Sequence, residues 1–112
     1  MSSNNHEISL QQAIDMTTRY RANRPENFPI CETVDVGTIN KLTSAEGCAF
    51  FRIYYGMDES MDVHAIMVAV DADGEDLLPP LEEADSSTGY TIVEDTIRCP
   101  PVCPPPSPLN SN

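Results

Sequence analysis

The sequence contains no tryptophan and no long apolar run. A core must therefore be assembled from three phenylalanines, four tyrosines and the aliphatic and methionine side chains. No stretch approaches the roughly 18 consecutive apolar residues that a membrane-spanning helix needs. The first fifteen residues also lack the apolar segment of a secretory signal. We therefore expect a single domain with a cytoplasmic location and no membrane partner.

Positive charge is almost missing from the second half of the chain. Residues 53–97 contain twelve acidic residues and no lysine or arginine, and the whole chain carries a formal net charge of -12. An acidic field of this size repels nucleic-acid phosphates and anionic lipids, which argues against both as partners. It favours a protein partner with a basic surface, or else a solvated acidic face without a partner.

The strongest structural pattern is a pair of strands. Residues 48–56 and 63–70 are rich in aromatic and β-branched side chains, which is typical of paired strands. Asp73 and Gly74 predict a tight turn, because glycine accepts the positive φ that such turns require. Leu77 and Leu78 are expected to end a short third strand, which Pro79 and Pro80 stop. Because the first two strands are apolar on both faces, we expect the pair to be central and covered on both sides.

Two helices are predicted before these strands. Ser9 stands three residues before Gln12, which is the spacing of a capping box, and apolar residues follow at helical spacing over 10–22. Asp35 is placed to cap a second, short helix. Residues 91–97 predict a returning edge strand. The pattern indicates an α+β fold in which one or two N-terminal helices pack on a three- to four-stranded antiparallel sheet.

Proline is concentrated at the C-terminal end, where residues 99–112 hold six of the ten prolines. Such a segment favours an extended conformation, so we divide the chain into a lead-in (1–8), one α+β domain (9–98) and an extended Pro-rich tail (99–112). A polyproline segment loses little entropy when it docks in an aromatic-lined groove. The residues that we expect to bind a partner are Pro100, Pro101, Pro104, Pro105, Pro106, Pro108 and Leu109.

Two other groups of side chains suggest different chemistry. Cys99 and Cys103 could bind a soft metal such as zinc or copper, or act as a thiol redox pair. Asp71, Asp73 and Glu75 have the spacing of the first three ligands of a calcium loop, although a hairpin turn explains the same residues. Neither group requires a cofactor, and we expect none.

His64 raises the question of catalysis. Residues 64–74 resemble the strand and turn that carry the catalytic histidine of papain-like cysteine peptidases. That resemblance implies a cysteine nucleophile at the start of a helix upstream. Here Cys31 lies in a predicted connector and Cys48 begins a predicted strand. A cysteine hydrolase is therefore the weaker alternative.

A second resemblance covers most of the chain. The stretch GCAFFRIYYGMDE, residues 64–78 and the CPPxCPPPSPLN tail resemble a group of small bacterial proteins without an assigned activity. The resemblance implies a shared fold and a shared tail, and it transfers no functional residue.

From the residues themselves, the leading prediction is a non-enzymatic acidic interaction or adaptor module. It would present its tail and acidic face to a protein partner that has a basic surface or an aromatic groove. An immunity-type inhibitor is one form of such a module. The alternative is metal or thiol redox binding through Cys99 and Cys103.

Overall fold

The structure is a computed structural model that describes residues 6–81, 90–94 and 97–111. In chain order the elements are α1 (Leu10–Asn23), β1 (Cys31–Thr33), α2 (Val36–Thr43), β2 (Phe50–Met57), β3 (Val63–Val70), β4 (Asp76–Leu77), β5 (Ile92–Val93) and β6 (Ile97–Cys99). Two helices and two antiparallel sheets confirm the predicted α+β class. Within the described residues, no helix is both long enough and apolar enough to cross a membrane.

Both helices begin at the predicted caps. The Ser9 hydroxyl accepts a hydrogen bond from the Gln12 backbone N–H (3.0 Å), and the Gln12 side chain accepts from the Ser9 N–H (2.8 Å). At α2 the Asp35 carboxylate accepts from the Thr38 N–H (3.1 Å). Hydrogen bonds from Thr38 hold the pKa of Asp35 below its ordinary value. These caps satisfy donors that the first turn of a helix leaves open.

The larger sheet is organised around β3. On one side β3 pairs with β2 in a register that runs from Phe50↔Val70 to Met57↔Val63. On its other side β3 pairs with both β4 and β5. The predicted turn between β3 and β4 is confirmed, because the Asp71 N–H donates to the Glu75 carbonyl (2.9 Å) and Gly74 has a φ of +88°.

The core is small and centred on β3. Helix α2 covers one face of the sheet, where Leu42, Met67, Ala69 and Val93 form a buried cluster. On the opposite face Val68 and Val70 are also buried, as are Val63 and Cys99 elsewhere. Helix α1 contributes no buried residue. Five of the eight buried hydrophobic residues in the described part of the chain therefore belong to β3.

The prediction that β2 is central and covered on both sides is wrong. Every residue of β2 except Gly56 is exposed, and no strand in the described part of the chain pairs with its outer edge. The physical reason is the path of the chain after β3. Both β4 and β5 pair with the far side of β3, so neither returns to β2.

A second, two-stranded sheet joins distant parts of the chain. Strand β1 lies within residues 25–34, which the sequence indicates only as a connector, and it pairs with β6 in the register Cys31↔Cys99. Strand β6 crosses the expected boundary between residues 98 and 99, and Cys99 is only 2% exposed.

The Pro-rich segment after β6 contains two turns. Val102 donates its N–H to the Arg98 carbonyl (3.1 Å), and Asn110 donates to the Ser107 carbonyl (3.1 Å). The last part of the segment lies against α1, where an Arg21 guanidinium nitrogen donates to the carbonyl of Leu109 (2.7 Å).

Candidate functional site

The outer edge of β2 presents its backbone to solvent. Beyond the strand end, Asp58 donates its N–H to the carbonyl of Asp62 (3.0 Å). This bond shows that Asp58 and Asp62 are a hydrogen-bonded pair in line with the β2–β3 register. Hydrogen-bonded and non-hydrogen-bonded pairs alternate along an antiparallel ladder, so Gly56 and every second residue before it also point their backbone groups to β3. The intervening residues, whose N–H and C=O groups point outward, are Phe51, Ile53, Tyr55 and Met57. No strand within the described ranges pairs with them.

The other side of the β2–β3 pair, here called the β3 edge, is closed. Strands β4 and β5 pair with the second half of β3, and other groups occupy its first half. The Ala65 N–H donates to the Glu32 carboxylate (2.8 Å), and the Val63 carbonyl accepts from Nε of Arg98 (2.9 Å). The Val63 N–H donates to the carbonyl of Asn27 (2.9 Å). This edge therefore has no room for a further strand.

Apolar side chains flank the open edge on both faces of the sheet. On the face of α2, Phe51 is 43% exposed, Ile53 47% and Tyr55 77%. On the other face, Phe50 is 59% exposed and Tyr54 45%. Contiguous apolar surface of this kind marks interaction sites on folded proteins.

A groove of about 280 Å³ adjoins the open edge on the face of α2. Apolar residues that line it include Ile53, Tyr55, Tyr20, Phe28 and Ile30. The Tyr20 hydroxyl donates to the carbonyl of Pro29 (2.6 Å), which holds the end of α1 against the following loop. Burial raises the pKa of Tyr20, and the nearby Arg24 and Arg98 partly offset this rise. The groove can accept an apolar side chain next to β2.

Both ends of β2 carry negative charge. At one end the acidic residues are those of the β2–β3 turn, Asp58, Glu59 and Asp62. At the other end, where Phe50 pairs with Val70, they are those of the β3–β4 hairpin, Asp71, Asp73 and Glu75. The open edge is thus an apolar strip between two acidic ends.

The only basic residue of β2 is already paired. Arg52 reaches across the sheet to the carboxylate of Asp76 (2.7 Å), which also accepts a hydrogen bond from the Tyr54 hydroxyl. The pKa of Arg52 is raised, first by Tyr54 and then by Asp76. Because its charge is balanced inside the sheet, Arg52 does little to offset the acidic ends.

His64 lies between two carboxylates on the face away from α2. Its Nε2 is 2.8 Å from Oδ2 of Asp58, and its Nδ1 is 3.4 Å from Oε2 of Glu94. Hydrogen bonds from the Asp62 backbone and from His64 hold the pKa of Asp58 below its ordinary value. The cavity that His64 lines measures about 190 Å³, and none of its lining residues is a cysteine. The structure does not bring His64 together with a nucleophile in that cavity.

Three of the four cysteines lie in or next to the small sheet. Cys99 and Cys103 form a disulfide, and Cys31 is the cross-strand partner of Cys99. Cys48 lies elsewhere, with its thiol donating to the carbonyl of Phe50 (3.1 Å). Among the described residues, no group of three or more histidine, cysteine or acidic side chains is arranged to hold a metal ion. Metal binding by reduced Cys99 and Cys103 stays a prediction.

The β3–β4 hairpin is stabilised by hydrogen bonds between the Asp71 carboxylate and the backbone. The Asp71 carboxylate accepts hydrogen bonds from the backbone N–H groups of Asp73 and Glu75, both at 2.9 Å. These bonds explain why an aspartate stands at the start of the turn. Calcium binding by Asp71, Asp73 and Glu75 stays a prediction.

The expected partner-binding residues of the tail are mostly accessible. Pro104 is half-buried, and the exposed ones are Pro100, Pro101, Pro105, Pro106, Pro108 and Leu109. A shallow cavity of about 400 Å³ lies between Ile14 and residues 106–111. The carbonyl of Leu109 is engaged by Arg21 (2.7 Å), so this part of the tail already has a contact within the chain.

Sequence reasoning missed the open edge, although a signal for it was present. An eight-residue strand with apolar side chains on both faces is normally buried on both faces. The pattern does not distinguish a strand that is buried by its own chain from one that is buried by a binding partner. The contacts of Glu32 and Arg98 at the β3 edge could not be predicted from the local sequence, because their partners on β3 lie 33 and 35 residues away along the chain.

Comparisons with known proteins do not indicate a function, so the functional proposal depends on the geometry described above. No protein-family model matches the chain, and neither the curated proteins nor the solved structures gave a match. The resemblance to small bacterial proteins stays a prediction.

Proposed function

We propose that the protein is a small, non-enzymatic interaction module that binds a protein partner with a basic surface. The observation that carries the proposal is the distribution of aromatic side chains. All three phenylalanines are exposed, at 37% for Phe28, 59% for Phe50 and 43% for Phe51. In a chain of this size, aromatic residues normally supply the core.

The energetics of burial favour a partner. Each aromatic side chain has roughly 150–250 Å² of surface to bury, and removing apolar surface from water contributes roughly 25 cal/mol per Å². Phe51 and Tyr55 lie on one face of β2 and Tyr54 lies on the other, so a partner segment that runs along the open edge could contact all three. Enrichment in aromatic residues is the composition expected at the centre of a protein interface.

The charge supports a basic partner. Twelve acidic residues and no lysine or arginine fall between residues 53 and 97, and Arg52 is paired with Asp76. A potential of this sign speeds the approach of a basic surface and opposes an acidic one. Salt weakens such steering, because charges farther apart than about 8 Å are screened at physiological ionic strength.

The tail provides a second surface in this proposal. Its exposed prolines can contact an aromatic groove of the partner. Pro101 and Pro105 are well placed for this, because neither lines the cavity beside α1. The segment from Pro106 to Pro108 lines that cavity and would have to leave it to bind elsewhere.

The test is affinity capture with the full chain from a lysate of the source cells, followed by mass spectrometry and reconstitution with the purified partner. We expect a partner with a basic surface that elutes as the salt concentration rises. Asp73→Asn with Glu75→Gln, in the exposed hairpin, should reduce retention at least about threefold. Failure of the full chain to retain any protein above the resin background would contradict the proposal.

A matched pair of variants tests the tail separately. Pro101→Ala with Pro105→Ala removes two exposed tail prolines, and Pro25→Ala removes an exposed proline in the loop after α1. If the tail contacts the partner, only the tail variant weakens binding. Equal affinities for the two variants would remove the tail from the interface and leave the module itself in place.

Thiol–disulfide exchange is a second candidate function, favoured by the position of Cys31 opposite Cys99. Cα atoms of such pairs are about 4.5–5.5 Å apart, and their side chains share a face. The Cys31 thiolate would attack Sγ of Cys99, forming a new S–S bond, while the Cys99–Cys103 bond breaks and Cys103 leaves as a thiolate. The number of disulfides is unchanged, so the step needs no oxidant.

Disulfide mapping tests this second candidate. Protein held near the ordinary thiol pKa of about 8.5 is trapped with acid, digested and analysed by mass spectrometry. We expect both the 99–103 and the 31–99 linkages in the unchanged protein, and only the former in Cys31→Ser. Finding only the 99–103 linkage in both would contradict exchange. Native mass spectrometry of the reduced protein with zinc or copper(I) tests metal binding by the same thiols.

A further inference from the structure

We propose that the open edge of β2 binds an extended segment of the partner as an added β-strand, and that this segment is apolar in its centre and carries lysine or arginine at both ends. The inference rests on the interaction function proposed above and names the site and the chemistry of the partner. Strand addition at a free edge is a recurring mode of peptide recognition.

The backbone of β2 supplies the docking groups. Four residues, Phe51, Ile53, Tyr55 and Met57, direct their N–H and C=O groups away from β3. Each of these groups can form a hydrogen bond with an added strand about 4.8 Å away. A long, exposed and apolar edge is unusual, because folded proteins generally shorten, charge or cover such edges.

The side chains of β2 determine what the added strand must look like. Its side chains would alternate between the two faces, next to Phe51 and Tyr55 on one face and Tyr54 on the other. The groove beside Ile53 and Tyr55 would receive one apolar side chain of the added strand. The central residues of the partner segment are therefore aromatic or β-branched.

The acidic ends of the edge select the charge of the partner. An eight-residue strand spans about 26 Å, so the β2–β3 turn would lie beside one end of an added strand. The β3–β4 hairpin would lie level with the other end, at least two strand spacings or about 10 Å away, because β4 is on the far side of β3. Lysine or arginine at one end of the segment would lie near the carboxylates of the turn, and at the other end it would be attracted by the hairpin over this longer distance. The arrangement combines affinity from the backbone with selection by charge.

The same charges argue against a second copy of this chain as the occupant. In antiparallel self-pairing the acidic turn of one copy would meet the acidic hairpin of the other. In parallel self-pairing, turn would meet turn and hairpin would meet hairpin. Both arrangements place like charges together at both ends of the new ladder, and the whole chain carries -12.

Synthetic peptides provide a direct probe. The test peptide is Lys-Arg-Val-Thr-Ile-Tyr-Val-Thr-Arg-Lys with a fluorescent label, and its affinity for the full-length protein is measured by fluorescence anisotropy. One control replaces the four basic residues with glutamate. A second control carries N-methyl groups on alternate backbone nitrogens, which removes one edge of hydrogen-bond donors. We expect the test peptide to bind at least about tenfold more tightly than either control.

A proline in β2 tests the edge itself. The N–H of Ile53 points outward, so Ile53→Pro removes a docking donor and leaves the hydrogen bonds to β3 in place. We expect at least about tenfold weaker peptide binding with little change in thermal stability. The matched control is Val36→Pro, because Val36 is exposed at the first position of α2, where proline is tolerated. It should bind the peptide like the unchanged protein.

A second variant keeps the test decisive if Ile53→Pro fails to fold. Tyr55 is 77% exposed, so Tyr55→Lys costs little stability and places a cation in the path of a basic-ended strand. The expected result is again at least about tenfold weaker binding of the basic-ended peptide. Unchanged binding by a folded Ile53→Pro or Tyr55→Lys protein would overturn the inference.

Further outcomes separate this inference from the wider proposal. Equal binding of basic-ended and acidic-ended peptides would overturn the charge assignment. A concentration-dependent dimer that Ile53→Pro abolishes, measured by analytical ultracentrifugation, would assign the edge to a second copy and overturn the proposed occupant. If Ile53→Pro still binds the reconstituted partner with full affinity, the interaction function stands and strand addition fails.

Discussion

The two outer sides of the β2–β3 pair differ in what meets their backbone groups. At the β3 edge, two strands, a carboxylate, a guanidinium and a loop carbonyl meet the backbone groups. At the β2 edge, the described structure places no strand at all. Within the described ranges, the chain thus closes one edge with strands and with charged side chains from distant segments, and it pairs no strand with the other. The comparison shows that the lack of a paired strand is specific to the β2 edge, because the same fold does pair the backbone groups of the β3 edge.

The closed edge should be the more sensitive of the two to substitution, and Arg98→Ala should have the largest effect. Its guanidinium donates to the carbonyls of Val63, Pro100 and Asn27 at 2.8–3.0 Å, and its side chain is 11% exposed. We expect unfolding free energy to fall by about 2–4 kcal/mol, because three carbonyls lose a charged donor. Urea denaturation provides the measurement, and Arg19→Ala on exposed α1 is the control. A loss equal to that of the control would contradict the role of Arg98.

Glu32 should have the next largest effect. Glu32→Ala leaves the Ala65 N–H at the β3 edge without its acceptor, and we expect a loss of about 1–2 kcal/mol. Glu32→Gln keeps an oxygen acceptor and should lose less than half as much. Hydrogen exchange of the Ala65 amide, followed by NMR, gives a local measure. Equal exchange rates in the unchanged protein and in Glu32→Ala would show that this bond does not close the edge.

Substitution on β2 should have a smaller effect on stability. Tyr54→Phe removes the hydroxyl that donates to Asp76 and keeps the ring, so we expect a loss of about 0.5–1 kcal/mol. A double-mutant cycle with Asp76→Asn isolates the bond from other changes. A coupling energy indistinguishable from zero would show that the contact contributes nothing to the sheet.

The smallest effect should come from acid titration at the end of the open edge. The pKa of Asp58 is lowered in the folded protein, so its contribution to stability is fully present above the unfolded pKa of about 4. The contribution is lost as the pH falls through the lower, folded pKa. Thermal melting between pH 6 and pH 3 should therefore show a steeper decline for the unchanged protein than for Asp58→Asn. Parallel declines would contradict the shift.

Local signals in the sequence were sufficient for local structure. The capping residues Ser9 and Asp35 and the turn residue Gly74 act on groups within a few positions, and the structure confirms all three. Their interactions depend on the residues next to them, so the sequence alone could indicate them.

Pairing between distant segments could not be predicted in the same way. Nothing near Cys31 indicates that Cys99 will be its partner, because three-residue strands carry too little pattern to specify one another. The candidate site depends on which strand β3 pairs with on each side. This pairing depends on segments from the whole chain. The apolar pattern of β2 therefore indicated that the strand requires burial, but it could not show that the strand lies at an edge of the sheet.

The pairing of β1 with β6 also has a consequence during synthesis. Strand β1 ends at Thr33, and its partner is complete only at Cys99. At roughly 5–20 residues per second, the ribosome needs several seconds to make the residues between them. For that time β1 emerges without its neighbour, so this corner of the molecule can form only after Cys99 has been synthesised.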